Sequence, residues 1–209
     1  MPSASSGIKT RRALISVACD FLGRGESAAS IQQIAQAANV SVGTVYTYFN
    51  DKHELFEVAA RESVLSSFPS VPESFDDVTD PALRYFVAAL IACRRPEYDP
   101  QLTRIIVDAG PAVFAGFPEY LSKATDAISA SVEGGLCFCD DPEAFVIGLS
   151  GAYQNVLAYR FSGQGDRDLA ARVFVPFASS IGYRPLVIGA LAARVNDLPL
   201  EVLRQASAS

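Results

Sequence analysis

The twelve residues from Ser41 to Lys52, Ser-Val-Gly-Thr-Val-Tyr-Thr-Tyr-Phe-Asn-Asp-Lys, concentrate groups able to meet a phosphate or a base edge. Read as a short helix, the stretch turns Val45 and Phe49 inward and leaves Ser41, Val42, Gly43, Thr44, Tyr46, Thr47 and Tyr48 outside. The N-terminus of such a helix offers free backbone N–H groups to an anion. Gly43 lets the backbone approach a surface closely. The hydroxyls of Tyr46 and Tyr48 can donate to phosphate oxygens, and Lys52 stands at the start of the next helix. Entering a major groove N-terminus first, this helix brings Val42, Thr44 and Thr47 to base edges and thymine methyls. The chemistry on offer is therefore binding to duplex DNA. For either tyrosine taken singly, packing in a three-helix core explains it equally well.

The flanking residues supply what positions such a helix. Residues 8–24 carry Leu14, Ile15, Ala18, Phe21 and Leu22 on one helical stripe, closed by Gly23 and Gly25. Ser30-Ile31-Gln32-Gln33 reads as a capping box, with Ser30 also a candidate DNA contact, and Ile31, Ile34, Ala35 and Ala38 follow as an apolar face. Asn39 falls where the chain must turn sharply, and asparagine tolerates the left-handed conformation. Ser41 caps the short helix. Asp51-x-x-Glu54 opens a longer one to about residue 67, with Leu55, Val58, Ala59 and Leu65 as its core stripe. Short capped helices joined by about three residues form a helix-turn-helix pattern.

The remainder reads as helices separated by proline, glycine and acidic breaks. Residues 68–80 read as a loop; helices are expected over 81–93, near 101–109, 118–133, 142–161, near 166–181 with Pro176 inside, about 185–195, and from Pro199 onward. No alternating strand pattern or repeat interrupts them, so the fold class is all-α. The expected organisation is a three-helix headpiece over 1–62 and a larger helical bundle over 63–209.

Charge sharpens this division. The net charge of −6 argues against nucleic acid as a partner, but residues 1–62 hold six Lys/Arg against six acids, while residues 63–209 hold eleven against seventeen. The deficit lies wholly in the body, which would face away from phosphate. Half the residues are hydrophobic, which excludes a disordered chain. The first 25 residues do not read as a secretion signal, and the run Ala144–Tyr159 contains Gln154 and Asn155 and is short for a bilayer, so a soluble cytoplasmic protein with no membrane partner is expected. Cys19, Cys93, Cys137 and Cys139 make no disulfide framework, and with His53 the only histidine no metal set or cofactor is expected.

From Arg12 to Phe56 the chain resembles the tetracycline-repressor (TetR) family. The resemblance is carried by Arg12-Ala13-Leu14-Ile15, Ala18, Phe21, Gly25, Ile34-Ala35, Ala38, Val40-Ser41, Gly43-Thr44-Val45-Tyr46, Tyr48-Phe49 and Lys52-x-Glu54-Leu55. It departs at Asn39, where the family usually has glycine, at Ala29, where Thr or Ser is common, and at His53, where glutamate is frequent. The resemblance implies a homodimer that sets two recognition helices into successive major grooves of a palindromic operator. It also implies a body that binds a small effector and changes the spacing of the heads. Repression is the expected outcome; activation through the same headpiece is the alternative.

Two body features bear on these expectations. Between Ala144 and Phe161 the only charge is Arg160, and a helix apolar all round is buried on more than one side. Gly148, Gly151, Ala152 and Asn155, with Phe174 and Phe177 of the uncharged segment 173–181, are therefore expected in a four-helix interface between two copies, with burial inside one large core as the alternative. Aromatic density among the central helices suggests an apolar cavity for a small apolar or aromatic effector. Its candidate lining is Tyr85, Phe86, Phe114, Phe117, Tyr120 and Tyr153, with Arg104, Asp108 and Gln154 as polar contacts. Arg104 and Asp108 are also an i, i+4 pair that can satisfy itself. Catalysis finds no support, since no nucleophile–base pair, G-x-S-x-G or phosphate-loop pattern occurs. A helical protein-interaction module is the other rival, separable by salt-dependent DNA binding.

Overall fold

Side-chain caps mark where six of the helices begin. The computed structural model describes residues 4–65, 68–110 and 118–208, with the backbone alone for residues 4–6, 118–120 and 208. Helix α1 (Ala4–Gly23) precedes α2 (Ile31–Ala37), α3 (Val42–Tyr48) and α4 (Lys52–Leu65). Ser30 closes the capping box on α2: its Oγ accepts from Gln33 N at 3.3 Å while its N donates to Gln33 Oε1 at 2.7 Å. Asp51 accepts from Glu54 N at 2.9 Å, but the Glu54 carboxylate reaches back to Asn50 N rather than to Asp51 N. Asn39 takes a φ of 54°, the left-handed turn expected between α2 and α3.

The body begins with α5 (Pro81–Cys93), followed by α6 (Arg95–Tyr98), α7 (Pro100–Ala109), α8 (Pro118–Glu133), α9 (Pro142–Phe161), α10 (Leu169–Ser180), α11 (Pro185–Asn196) and α12 (Leu200–Ala208). Asp80, Asp99 and Asp141 cap α5, α7 and α9, each just before a proline at the first helical position, where its missing N–H costs nothing. Gly110 ends α7 with a φ of +66°. Among the described residues every regular element is a helix.

Two hydrophobic cores form. Leu14, Ile15, Ala18, Phe21, Ile34, Ala35, Val45, Phe49, Leu55 and Ala59 close the headpiece. The body core centres on α5, whose residues from Tyr85 to Cys93 are all buried against α8, α9, α10 and α11. Leu65, expected in the stripe of α4, is exposed, and Val64 is buried instead. The reason is that α4 changes partners along its length: Ala59 still packs in the head, whereas Val64 joins the body core. The segment 68–80, expected as a plain loop, holds a 3₁₀ turn at Glu73–Phe75 that anchors Phe75 and Val78 in the body core.

Helix α7 joins the two halves, packing against α1 and α4 on one side and α9 on the other. A Cβ on Gly23 would lie 3.0 Å from Gln101 Cβ, and one on Gly25 would lie 3.3 Å from Arg104 Nη1. Gly25 has a φ of +77°, so glycine serves both the turn and the close approach.

Candidate nucleic-acid interface

Helix α3 is held by one buried side chain and one capped end. Val45 is fully buried, and Phe49, just past the helix, closes the seam. Ser41 Oγ accepts from Thr44 N at 3.1 Å and shares a hydrogen bond with Thr44 Oγ1 at 2.8 Å. Thr47 Oγ1 donates to Gly43 O at 3.0 Å, one turn back. Anchored in this way, the helix leaves Ser41, Gly43, Thr47 and Tyr46 exposed, with Tyr46 at 54% accessibility. Val42 and Thr44 are half-buried at the rim.

The remaining expected contacts sit differently. Tyr48 is half-buried in the head cluster, and its hydroxyl lies where a Cβ on Gly7 would meet it at 3.3 Å, so it turns toward α1. Lys52 lays its ammonium 5.7 Å from the centre of the Phe56 ring and donates from Nζ to Ser27 O at 3.0 Å, tying the α1–α2 connection to α4. The Ser30 hydroxyl is engaged in the cap of α2. His53 is exposed.

A family model described as bacterial regulatory proteins of the tetR family matches residues 14–59, which span the headpiece core from α1 into α4. Over this stretch the chain is similar to the tetR family. A search of curated proteins gives no significant match. Among solved structures, RolR in complex with resorcinol is similar at a TM-score of 0.70 and 21% identity, over 94% of this chain and 98% of that one. The TetR regulator TylP from Streptomyces fradiae follows at 0.63 and 19%, over 91% and 97%. FadR, a fatty acid degradation regulator from Bacillus halodurans, stands at 0.60 and 19%, over 87% and 96%. These likenesses extend the TetR-family fold from the headpiece through the body.

The body distributes its expected site residues in three ways. Phe86 is fully buried in the core, 6.4 Å from the Phe174 ring and 6.5 Å from the Tyr183 ring. Phe174 is thereby corrected: on α10 it falls in the inward row Ala170–Phe174–Ala178 and is unavailable to a second copy. Tyr85 is buried and stacks on Phe68 at 5.7 Å. Arg104 is also corrected. Being one position off the inward face formed by Thr103, Ile105 and Ile106, it points to the head–body seam, 5.2 Å from the Phe161 ring. Asp108 is exposed, and no ion pair between it and Arg104 occurs among the described residues. Phe114, Phe117 and the side chain of Tyr120 lie outside the described residues.

Tyr153 and Gln154 are buried on the inner side of α9, and burial pushes the Tyr153 phenol above its ordinary range. Gln154 Nε2 donates to Gly110 O at 2.8 Å, joining α9 to the end of α7. The opposite side of α9 is open: Ile147, Gly148, Asn155 and Tyr159 are exposed. A Cβ on Gly151 would meet nothing within 4 Å, and Asn155 Nδ2 donates to Gly151 O within its own helix. Phe177 edges onto Phe145 at 6.1 Å and is half-buried beside this face, as is Ala152.

A polar hub has no counterpart among the sequence-based expectations. Glu97 receives Arg94, Arg160 and Arg167, while Arg94 Nη1 donates to the carbonyls of Val195, Asn196 and Leu198. Burial pushes the Glu97 carboxyl up, but hydrogen bonds from Arg94 and Arg160 outweigh it and hold it below its ordinary value. Apart from the local Arg94–Glu97 pair, the hub joins residues such as Glu97 and Arg160, 63 apart, and Arg94 and Val195, 101 apart, so no local pattern announces it. All four cysteines are free; burial pushes Cys93 up to about 12 and raises Cys19, Cys137 and Cys139, which keeps them as thiols. Among the described residues no group of His, Cys, Asp and Glu is placed to hold a metal ion, and no helix is long and apolar enough to cross a membrane.

Proposed function

We propose that this protein is a ligand-responsive transcriptional repressor that binds palindromic operator DNA as a homodimer and is released by a small effector. The observation that carries the DNA reading is α3 itself: a capped helix that spends only Val45 on the core and keeps Ser41, Gly43, Tyr46 and Thr47 outward. Ser41, Val42, Gly43, Thr44, Tyr46 and Thr47 face the groove, and Tyr48, Lys52 and Ser30 steady the backbone around them.

The open side of α9 supports a second copy of the chain. Gly148 and Gly151 permit close helix approach, and Ile147, Tyr159 and Phe177 supply the apolar area that a partner would cover. RolR is seen in complex with resorcinol, and this supports a small aromatic or apolar effector here. Helix α7 is the route from body to head, because one end meets Gln154 and the other presses on Gly23 and Gly25.

Fluorescence anisotropy of the full chain on labelled duplexes, first random and then selected from a genomic library, tests the reading. Affinity should fall with added salt, by a slope of about −0.9 per neutralised phosphate. Joint replacement of Tyr46 and Lys52 by alanine should abolish binding while leaving the dimer folded. A salt-independent response, or no binding at low salt, refutes it and favours a protein-interaction module.

A further inference from the structure

The inner side of α9 carries a chemical demand that the fold leaves unmet. Gln154 is only 9% accessible, and its Oε1 has no hydrogen-bond partner. Buried carboxamide oxygens nearly always find a donor. Its Nε2 is already committed to Gly110 O, so the unmet capacity is for accepting. One turn earlier on the same helix, Ser150 is 5% accessible and its Oγ also lacks a partner. Gln154 borders a cavity of about 120 Å³ between α7 and α9, completed by Ile106, Val107, Gly110, Asn155 and Ala158.

The lining fixes what fits. A cavity of about 150 Å³ holds a benzene ring, and the space here is somewhat smaller, so it limits an occupant to one small ring or an equally compact molecule. Of the six described residues that line it, three are aliphatic and none is charged, so among them an ionised ligand would lose its hydration with no counter-charge in return. The ligand must donate a hydrogen bond to satisfy Oε1. We infer that the α7–α9 cavity is a ligand subsite for a neutral, single-ring molecule bearing a hydroxyl or N–H donor, held by Gln154. The inference rests on the effector reading above and names the chemistry of that effector. Asn155 lies on the exposed side of the cavity, so the ligand enters beside the face proposed for the second copy.

Phenol and toluene separate the terms, being close in size while only phenol donates. Calorimetric titration of the full chain should show phenol binding about tenfold more tightly than toluene, the value of one satisfied buried acceptor. Gln154→Leu should abolish that preference, and Ala158→Leu, which fills the cavity without touching the amide, should exclude both rings. Far-UV circular dichroism and duplex binding report on folding; where Gln154→Leu does not fold, the parent ratio and Ala158→Leu decide. Equal affinities in the parent, a phenol preference that survives Gln154→Leu, unchanged binding in Ala158→Leu, or failure of both rings to bind would each overturn the subsite. Release of duplex DNA is scored separately. Phenol seated at Gln154 without release supports the subsite and counts against the effector reading, whereas release by another molecule that leaves the cavity empty overturns the subsite alone.

Discussion

Replacing Glu97 by glutamine tests whether the arginine hub holds the body together. Arg94 and Arg160 are 3% and 6% exposed in their side chains and both meet Glu97, Arg94 at 2.8 Å; Arg167, at 3.1 Å, is 58% exposed. Removing one partner from a buried ion pair costs about 3–5 kcal/mol, because the remaining charge stays buried without compensation. The cost here belongs at the lower end. Glutamine keeps one acceptor oxygen, Arg94 keeps three backbone carbonyls, and Arg160 keeps Cys93 O at 2.6 Å. The exposed Arg167 pair adds less than about 1 kcal/mol. The expected loss is therefore about 3 kcal/mol, or roughly 6–12 °C in Tm for a chain of this size. Urea unfolding followed by far-UV circular dichroism, at one fixed protein concentration, measures it. Arg167→Ala serves as the control and should cost under about 1 kcal/mol.

The pH dependence gives a second arm. Since the folded-state pKa of Glu97 is lowered, its contribution is complete above its ordinary value of 4.5 and is lost as pH falls through the folded value. The gap between parent and Glu97→Gln should be constant from about pH 6 to 8 and shrink below about 4.5. A variant within about 1 kcal/mol of the parent at neutral pH would refute the reasoning, by showing that the backbone carbonyls alone satisfy the arginines.

Three further outcomes are expected. Tyr46→Phe should leave unfolding unchanged within about 0.5 kcal/mol, since the ring is exposed, but weaken duplex binding about tenfold by anisotropy through one lost bond to phosphate. Ser41→Ala should cost about 1 kcal/mol of stability in chemical unfolding, through loss of the cap on Thr44 N, and weaken DNA binding with it. Gly151→Asp should give a folded monomer in sedimentation at micromolar concentration, because the site is open within one chain; a persisting dimer places the interface elsewhere.

Helix starts and the build of the headpiece are written locally in the chain. A cap acts over two or three residues, so Ser30, Ser41, Asp80 and Asp141 are legible in the sequence, as is the left-handed turn at Asn39. Val45 and Phe49 also read correctly as inward, because a seven-residue helix with one flanking aromatic has few ways to pack. Which side of an apolar helix faces inward, by contrast, depends on its neighbours in the folded molecule. From Ala144 to Tyr159 helix α9 carries no charge to mark its solvent side, and it buries Ser150, Tyr153 and Gln154 while leaving Ile147 and Tyr159 open. Phe174 and Phe177, three residues apart on one uncharged stretch, go to the core and to its edge. Arg104 left the expected cavity for the head–body seam, and Val64 displaced Leu65, each by a rotation of about 100° per residue that depends on what α7 and α4 pack against. The same dependence produced Gln154's unmet acceptor: its position on an apolar helix is visible in the sequence, but its lack of a partner follows from where α7 ends against it.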